Sequence, residues 1–393
     1  MQITVDERRA RLAYRHRLLP DRRTDDLTQI ADDLVALHSS DPVTVYLSIM
    51  LRMNHPSVQA VEHALYETRS LIRHHAMRRT LWVATPEVVR LMHAAATGSL
   101  VAPERRRTCA MLAGSGIEHP QAWLDAACQQ ALADLHAHGP STARALGERV
   151  PMLRHPLPVS QGKSYAAVQS AHTRVLLNLG FAGQVLRARP TGTWVNGAYR
   201  YAATDTWLPG GLGGLAPEAA AAELARRWLL RFGPATSTDL QWWMGWTVKT
   251  TKQALVGSRA VPVDLDGHPG WLAPEDAPVT PAERWIAVLP SLDPTTMGWK
   301  QRGWYLPAAA ADAFDRNGNA GATIWVDGRV VGAWAQIKNG DLPIYYFERV
   351  AATRRREVDQ RLAELKVMVG DTRFSVRFPG RIQTTILGSP ALS

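Results

Sequence analysis

The sequence predicts an α+β chain in which tandem winged-helix domains are followed by a β-barrel-like C-terminal domain. Three observations carry this. Up to residue 273, segments with apolar residues at helical spacing alternate with short strand pairs. Two similar stretches, Gly139-Pro140-Ser141-Thr142 and Gly233-Pro234-Ala235-Thr236, point to an internal duplication. After residue 280 the texture turns to alternating or continuous apolar runs, and Asp327-Gly328 and Asn339-Gly340 signal hairpins.

Taken in order, residues 6–18 set leucines among charges at helical spacing. Residues 26–38 place Leu27, Ile30, Leu34 and Leu37 on one face of an amphipathic helix. Ser39-Ser40-Asp41-Pro42 stops that helix and caps the next, over 43–53, because Ser and Asp side chains satisfy free backbone N–H groups and Pro is tolerated in a first turn. A third helix follows at 57–67. Ser70–Ala76 and Thr80–Ala84 are apolar-rich runs around a basic turn, so three helices and a hairpin complete a first winged-helix pattern. Helices at 123–138, 142–149 and 164–179, with strands at 184–189 and 194–201, repeat it. Helices at 216–232, 237–244 and 247–256, with strands at 260–264 and 270–273, repeat it again. The Pro-rich stretch 274–286 reads as linker. Strands follow at 286–290, 322–328, 329–337 and 342–350, then a helix at 354–368 and a closing strand at 373–378. The implied domains are 1–122, 123–215, 216–280 and 281–393.

The chain has 393 residues, with 45 Lys+Arg against 35 Asp+Glu, a formal charge of +10. That excess favours a polyanionic partner. Most of the cations are Arg, the better residue for bidentate phosphate contacts. Two cysteines exclude a disulfide framework and a Cys-rich zinc site. The 13 histidines show no His-Glu-x-x-His pair, so no metal is expected. Gly210-Gly211-Leu212-Gly213-Gly214 lacks the Lys of a phosphate loop and reads as a flexible linker. The first 19 residues contain no apolar run and no segment reaches the roughly 20 apolar residues of a membrane span. A cytoplasmic, nucleoid-associated protein is expected.

Arg73, His74, His75, Arg78 and Arg79 form a basic tip on the first hairpin, where phosphate contacts would position nucleic acid without reading its sequence. Trp242, Trp243 and Trp246 are spaced for the inner face of a helix.

Several stretches resemble one family. They are LVALHSSDPVTVYLSIMLRM (34–53), MRRTLWVATP (77–86), GPATSTDLQWWMGW (233–246), LPSLDPTTMGWKQR (289–302) and TIWVDGRVVGAW (323–334), in the order found in AlkZ-like DNA glycosylases. The resemblance covers nearly the whole chain. It implies three winged helices and a β-barrel around duplex DNA, and excision of N7- or N3-alkylated purines. Some members unhook interstrand crosslinks, and some protect antibiotic producers from their own product. The family's catalytic Gln-x-Gln or Gln-x-Asp element falls on His38 and Ser40, so neither glutamine is present. By position the resemblance implies catalytic roles for His38 and Ser40, with Asp41 as the carboxylate beside them. Arg52, one helix beyond this segment, and Lys300 and Arg302 in the matched 289–302 stretch are candidates for DNA contact, Asp293 is a candidate anchor of that loop, and Trp82 beside the hairpin is a weaker candidate for contact with an adduct. The partner would be double-stranded DNA carrying alkylated bases, bound by a monomer without a cofactor. The 192–198 turn is a candidate for entering the duplex. A non-catalytic DNA-binding protein that has lost the glutamines is the alternative.

Overall fold

The computed structural model of the protein describes residues 1–159, 167–279 and 284–388. The first unit holds α1 (Val5–Arg15), α2 (Leu27–Asp33), β1 (Leu37–His38), α3 (Pro42–Met50), α4 (Val58–Glu62), β2 (Ile72–His75), β3 (Leu81–Ala84), α5 (Pro86–Met92) and α6 (Gly98–Gly114). Here α2 ends five residues before its expected limit. Val35 adopts φ 58°, a left-handed conformation that breaks the helix and turns the chain into β1. The three strands form an antiparallel sheet in the order β1-β3-β2.

The second unit holds α7 (Pro120–His138), α8 (Ala143–Arg149), β4 (Pro156–Val159), β5 (Ala167–Ser170), α9 (His172–Phe181), β6 (Val185–Pro190), β7 (Tyr199–Ala203) and α10 (Thr204–Trp207). The helix expected over 164–179 is therefore a strand and then a helix, and its residues 164–166 lie outside the described residues. The third holds α11 (Pro217–Phe232), α12 (Ser237–Met244), α13 (Val248–Gly257), β8 (Val261–Asp264) and β9 (Pro269–Leu272). Thr236 and Asp239 close α12 with a reciprocal capping box.

A shared device links the three units. Each places a short extended piece against the second strand of its hairpin: β1 on β3, Ser141 opposite Tyr201 on β7, and Ala235 opposite Trp271 on β9. The residues after both Gly-Pro steps thus do the same work as Leu37-His38.

The C-terminal part holds β10 (Ile286–Leu289), α14 (Pro294–Met297), β11 (Thr323–Val326), β12 (Arg329–Trp334), β13 (Ile344–Tyr346), α15 (Ala352–Val369) and α16 (Arg381–Gly388). Asp327-Gly328 makes the expected tight turn between β11 and β12. The barrel does not form. The sheet is open, four-stranded and antiparallel in the order β10-β11-β12-β13. The closing strand expected at 373–378 is an irregular strap that leaves the sheet, so nothing among the described residues joins its two edges. Residues 280–283 of the expected linker lie outside the described residues.

One continuous core, from Leu12 to Val369, joins the first unit, the β6–β7 hairpin of the second, the third unit and the C-terminal sheet. A separate cluster built on α7 and α9 supports the second unit. The second unit nevertheless packs its β6 against β2 of the first. No helix among the described residues is long and apolar enough to cross a membrane.

Candidate active site

The segment His38–Asp41 runs from the end of β1 into α3. Leu37 pairs with Val83 and His38 with Trp82, and the Ser39 N–H donates to the Leu81 carbonyl at 2.8 Å, so the strand holds the segment in place. His38 is 4% exposed, with its ring edge-on to Trp82 at 4.9 Å between centroids. The Ser40 N–H donates to His38 Nδ1 at 3.4 Å. Burial, and then the charge of Arg78, push the His38 pKa down to about 3. The ring is therefore neutral at pH 7, and because Nδ1 accepts, its proton sits on Nε2. The ring thus presents an N–H, which is half of what a glutamine amide would offer.

Asp41 caps α3. One oxygen accepts the Val43 N–H at 3.1 Å, and the other accepts the Arg377 N–H at 3.3 Å. Burial raises its pKa, and those N–H groups and the Arg377 charge partly offset the rise. Ser40 is half-buried between His38 and Asp41. Beside Asp41, a crevice lined by Val43, Ser291, Trp334 and Phe374 encloses about 10 Å³. That is about the least that holds one water, and far less than a base needs.

Beneath the segment lies Arg73, 2% exposed. Its Nε donates to Ser39 Oγ at 2.7 Å and its Nη1 to the Tyr66 hydroxyl at 2.9 Å. Its Cζ lies 4.4 Å from the centre of the Tyr199 ring. The expected phosphate contact by Arg73 is corrected on this ground: the side chain braces the segment from inside. His75 is likewise buried, against Phe181 of the second unit. The packing of β6 over β2 hides this half of the basic hairpin. His74 shares its fate, with Nε2 3.2 Å from His93 Nδ1.

Arg52 is also corrected. It is wholly buried and makes a two-pronged ion pair with Asp293, with both N···O distances 2.9 Å. No phosphate reaches it. Asp293 does anchor its loop, by accepting from Ser48 Oγ and the Thr295 N–H. Trp82, 1% exposed, is core and not a lesion contact.

The remaining basic candidates lie nearer the surface. Arg78 and Arg302 come together on Trp242, with Cζ 4.2 and 5.1 Å from its ring centre. Trp242 is thus half-buried between two guanidinium groups, while Trp243 and Trp246 enter the core as expected. Arg79 is exposed and ion-paired with Glu104, which is itself buried. The exposed Lys300 follows in the loop tied to Asp239 by its own N–H at 3.0 Å. Missed from the sequence were Tyr199 and Arg377, which reach the site from 158 and 336 positions beyond Asp41. No local signal marks either one.

The chain belongs to the AlkZ-like DNA glycosylase family, whose sequence model matches residues 31–367. The solved structure of Streptomyces sahachiroi DNA glycosylase AlkZ is similar in fold, with a TM-score of 0.73 and 20% identity over 96% of this chain and 100% of that one. No curated protein matches the chain by sequence.

Proposed function

We propose that the protein is a monofunctional glycosylase that hydrolyses the N-glycosidic bond of N7-alkylated purines in duplex DNA, bulky adducts included. Its role is DNA repair or self-resistance to a DNA-alkylating product. One observation carries the reading: within four residues, a neutral ring N–H on His38 and a desolvated carboxylate on Asp41 share one strand–turn–helix of a DNA glycosylase fold.

An N7-alkylated purine carries positive charge and leaves as a neutral base when its bond to C1′ breaks. Positive charge then grows on the sugar. Asp41 offsets that charge, and its raised pKa suits it to take the proton of the attacking water. Each Asp41 oxygen accepts one backbone N–H, which leaves lone pairs for the water. His38 Nε2–H holds the water oxygen, and Ser40 orients it. The step needs water and no cofactor. The small crevice at Asp41 favours a lesion read in place over a base swung into a pocket. The three helix-and-hairpin units, read as winged helices with the boundaries above, would let one monomer hold duplex DNA by its backbone.

Asp41→Asn retains a good helix cap while removing the charge. It is expected to slow single-turnover base release by about 10²–10³, the scale of a lost general base. His38→Ala is expected to slow release by roughly tenfold or more. A wild-type rate in Asp41→Asn overturns the assignment. Borohydride should trap no covalent complex, because residues 38–41 offer no amine for a Schiff base. The second reading, a non-catalytic DNA-binding protein, draws on the 4% exposure of His38. It requires duplex binding with no base release at all.

A further inference from the structure

The strap at 372–378 crosses directly over the site. Phe374 packs on Trp194 of the 192–198 turn, with ring centres 6.4 Å apart, and Trp194 packs in turn on Tyr46 of α3 at 5.2 Å. Gln336 pins the strap by accepting the Phe374 N–H at 3.0 Å and donating to the Thr372 carbonyl at 3.1 Å. The Arg377 N–H then closes on Asp41. The strap carries two arginines with different fates. Arg373 is spent on the carbonyls of Asn339, Gly370 and Thr372. The Arg377 side chain is exposed and makes no hydrogen bond or ion pair among the described residues.

The Arg377 guanidinium lies against Gly197 of the turn. A Cβ at Gly197 would sit 2.9 Å from Cζ of Arg377, inside van der Waals contact. The glycine therefore leaves the space that the guanidinium fills. The other arginines of the site are not comparable: Arg73 is enclosed, and Arg78 is stacked on Trp242.

We propose that Arg377 grips the phosphodiester beside the lesion, with Gly197 kept bare to admit its guanidinium. This rests on the glycosylase reading above. The chemistry supports the placement. A carboxylate that faces the sugar repels the flanking phosphates, and a guanidinium anchored to that same carboxylate through its own backbone offsets the repulsion. It also supplies a charge-assisted, two-pronged contact that Arg forms well with phosphate. The grip fixes the sugar relative to Asp41 without reading sequence. Arg377 acts as a binding and positioning residue.

The test is the salt dependence of binding to a plain duplex, measured on the full chain for wild type, Arg377→Ala, Arg377→Lys and Gly197→Ala. Loss of one phosphate contact should flatten the plot of log K against log salt by about 0.9. Arg377→Ala should show that loss, with binding weakened by roughly tenfold at moderate salt. Arg377→Lys should keep the slope. Gly197→Ala should shift the slope in the same direction as Arg377→Ala at an unchanged melting temperature, because the displaced group is the free end of a flexible side chain. An unaltered slope in Arg377→Ala overturns the inference, whether or not the wild type releases a base. A flattened slope with no base release keeps the phosphate contact and removes the glycosylase reading.

Discussion

Arg52→Met is expected to destabilise the protein by about 3–5 kcal/mol, the range for breaking one side of a buried ion pair. Arg52 and Asp293 are both fully buried, and Asp293 sits at the N-terminus of α14. Burial alone would raise the pKa of Asp293, but Arg52 and the Ser48 and Thr295 donors hold it below its ordinary value. Arg52 also donates to the carbonyls of His16 and Ser48 and to Thr295 Oγ, so it ties α1, α3 and α14 together. Without the guanidinium, Asp293 keeps its charge with only neutral donors or takes up a proton at a cost. Removing both charges, in Arg52→Met with Asp293→Leu, should cost less than Arg52→Met alone, because no buried charge is then left uncompensated. Denaturant unfolding of both variants checks this. A loss under 1 kcal/mol in Arg52→Met would mean that water reaches Asp293.

The second large effect is on acid stability. His16, His38 and His75 are held neutral by burial, with pKa values pushed down to about 3, and His74 is pushed well below its ordinary value in the same way. Nearby arginines add to three of them: Arg52 for His16, Arg78 for His38 and Arg187 for His75. In the unfolded chain all four titrate near 6.5. Between pH 6.5 and 3 the unfolded state therefore binds protons that the folded state refuses. Stability is full above pH 6.5 and falls as the pH drops through that window. Each histidine contributes up to roughly 1.4 kcal/mol per pH unit. Four together approach, within two units, the 5–15 kcal/mol of a typical domain. The melting temperature should therefore drop steeply between pH 6.5 and 4.5, and His75→Leu should lessen the slope. A flat profile over that range contradicts the burial of these rings.

Local chemistry made much of this fold legible. The helix at 237–244 and the Asp327-Gly328 turn are determined by neighbours in sequence, and both stand where they were expected. The misplaced features depend on distant partners. β1 has two residues, too few to show a period, and exists because β3 accepts it. The alternation in RFSVRF at 373–378 is that of a strand, yet Phe374 and Arg377 are claimed by Trp194, Gln336 and Asp41 instead of by the sheet. Arg73 and Arg52 read as surface cations because the elements that bury them, β6 and the Asp293 loop, lie more than 100 and 200 positions away. The candidate segment His38–Asp41 is marked by its position in the family pattern. The tautomer of His38 and the capping of Asp41 needed the geometry.

The most direct test of the central claim is single-turnover incubation of the wild-type protein with duplex DNA carrying one N7-methylguanine or one bulky N7-guanine adduct. The free base and the abasic strand are then identified by mass. The account predicts release of the intact alkylated base from both duplexes, leaving an uncleaved abasic site. Tight binding to both duplexes with no base released would contradict it, and would make His38-Ser39-Ser40 part of a DNA-binding protein without catalysis.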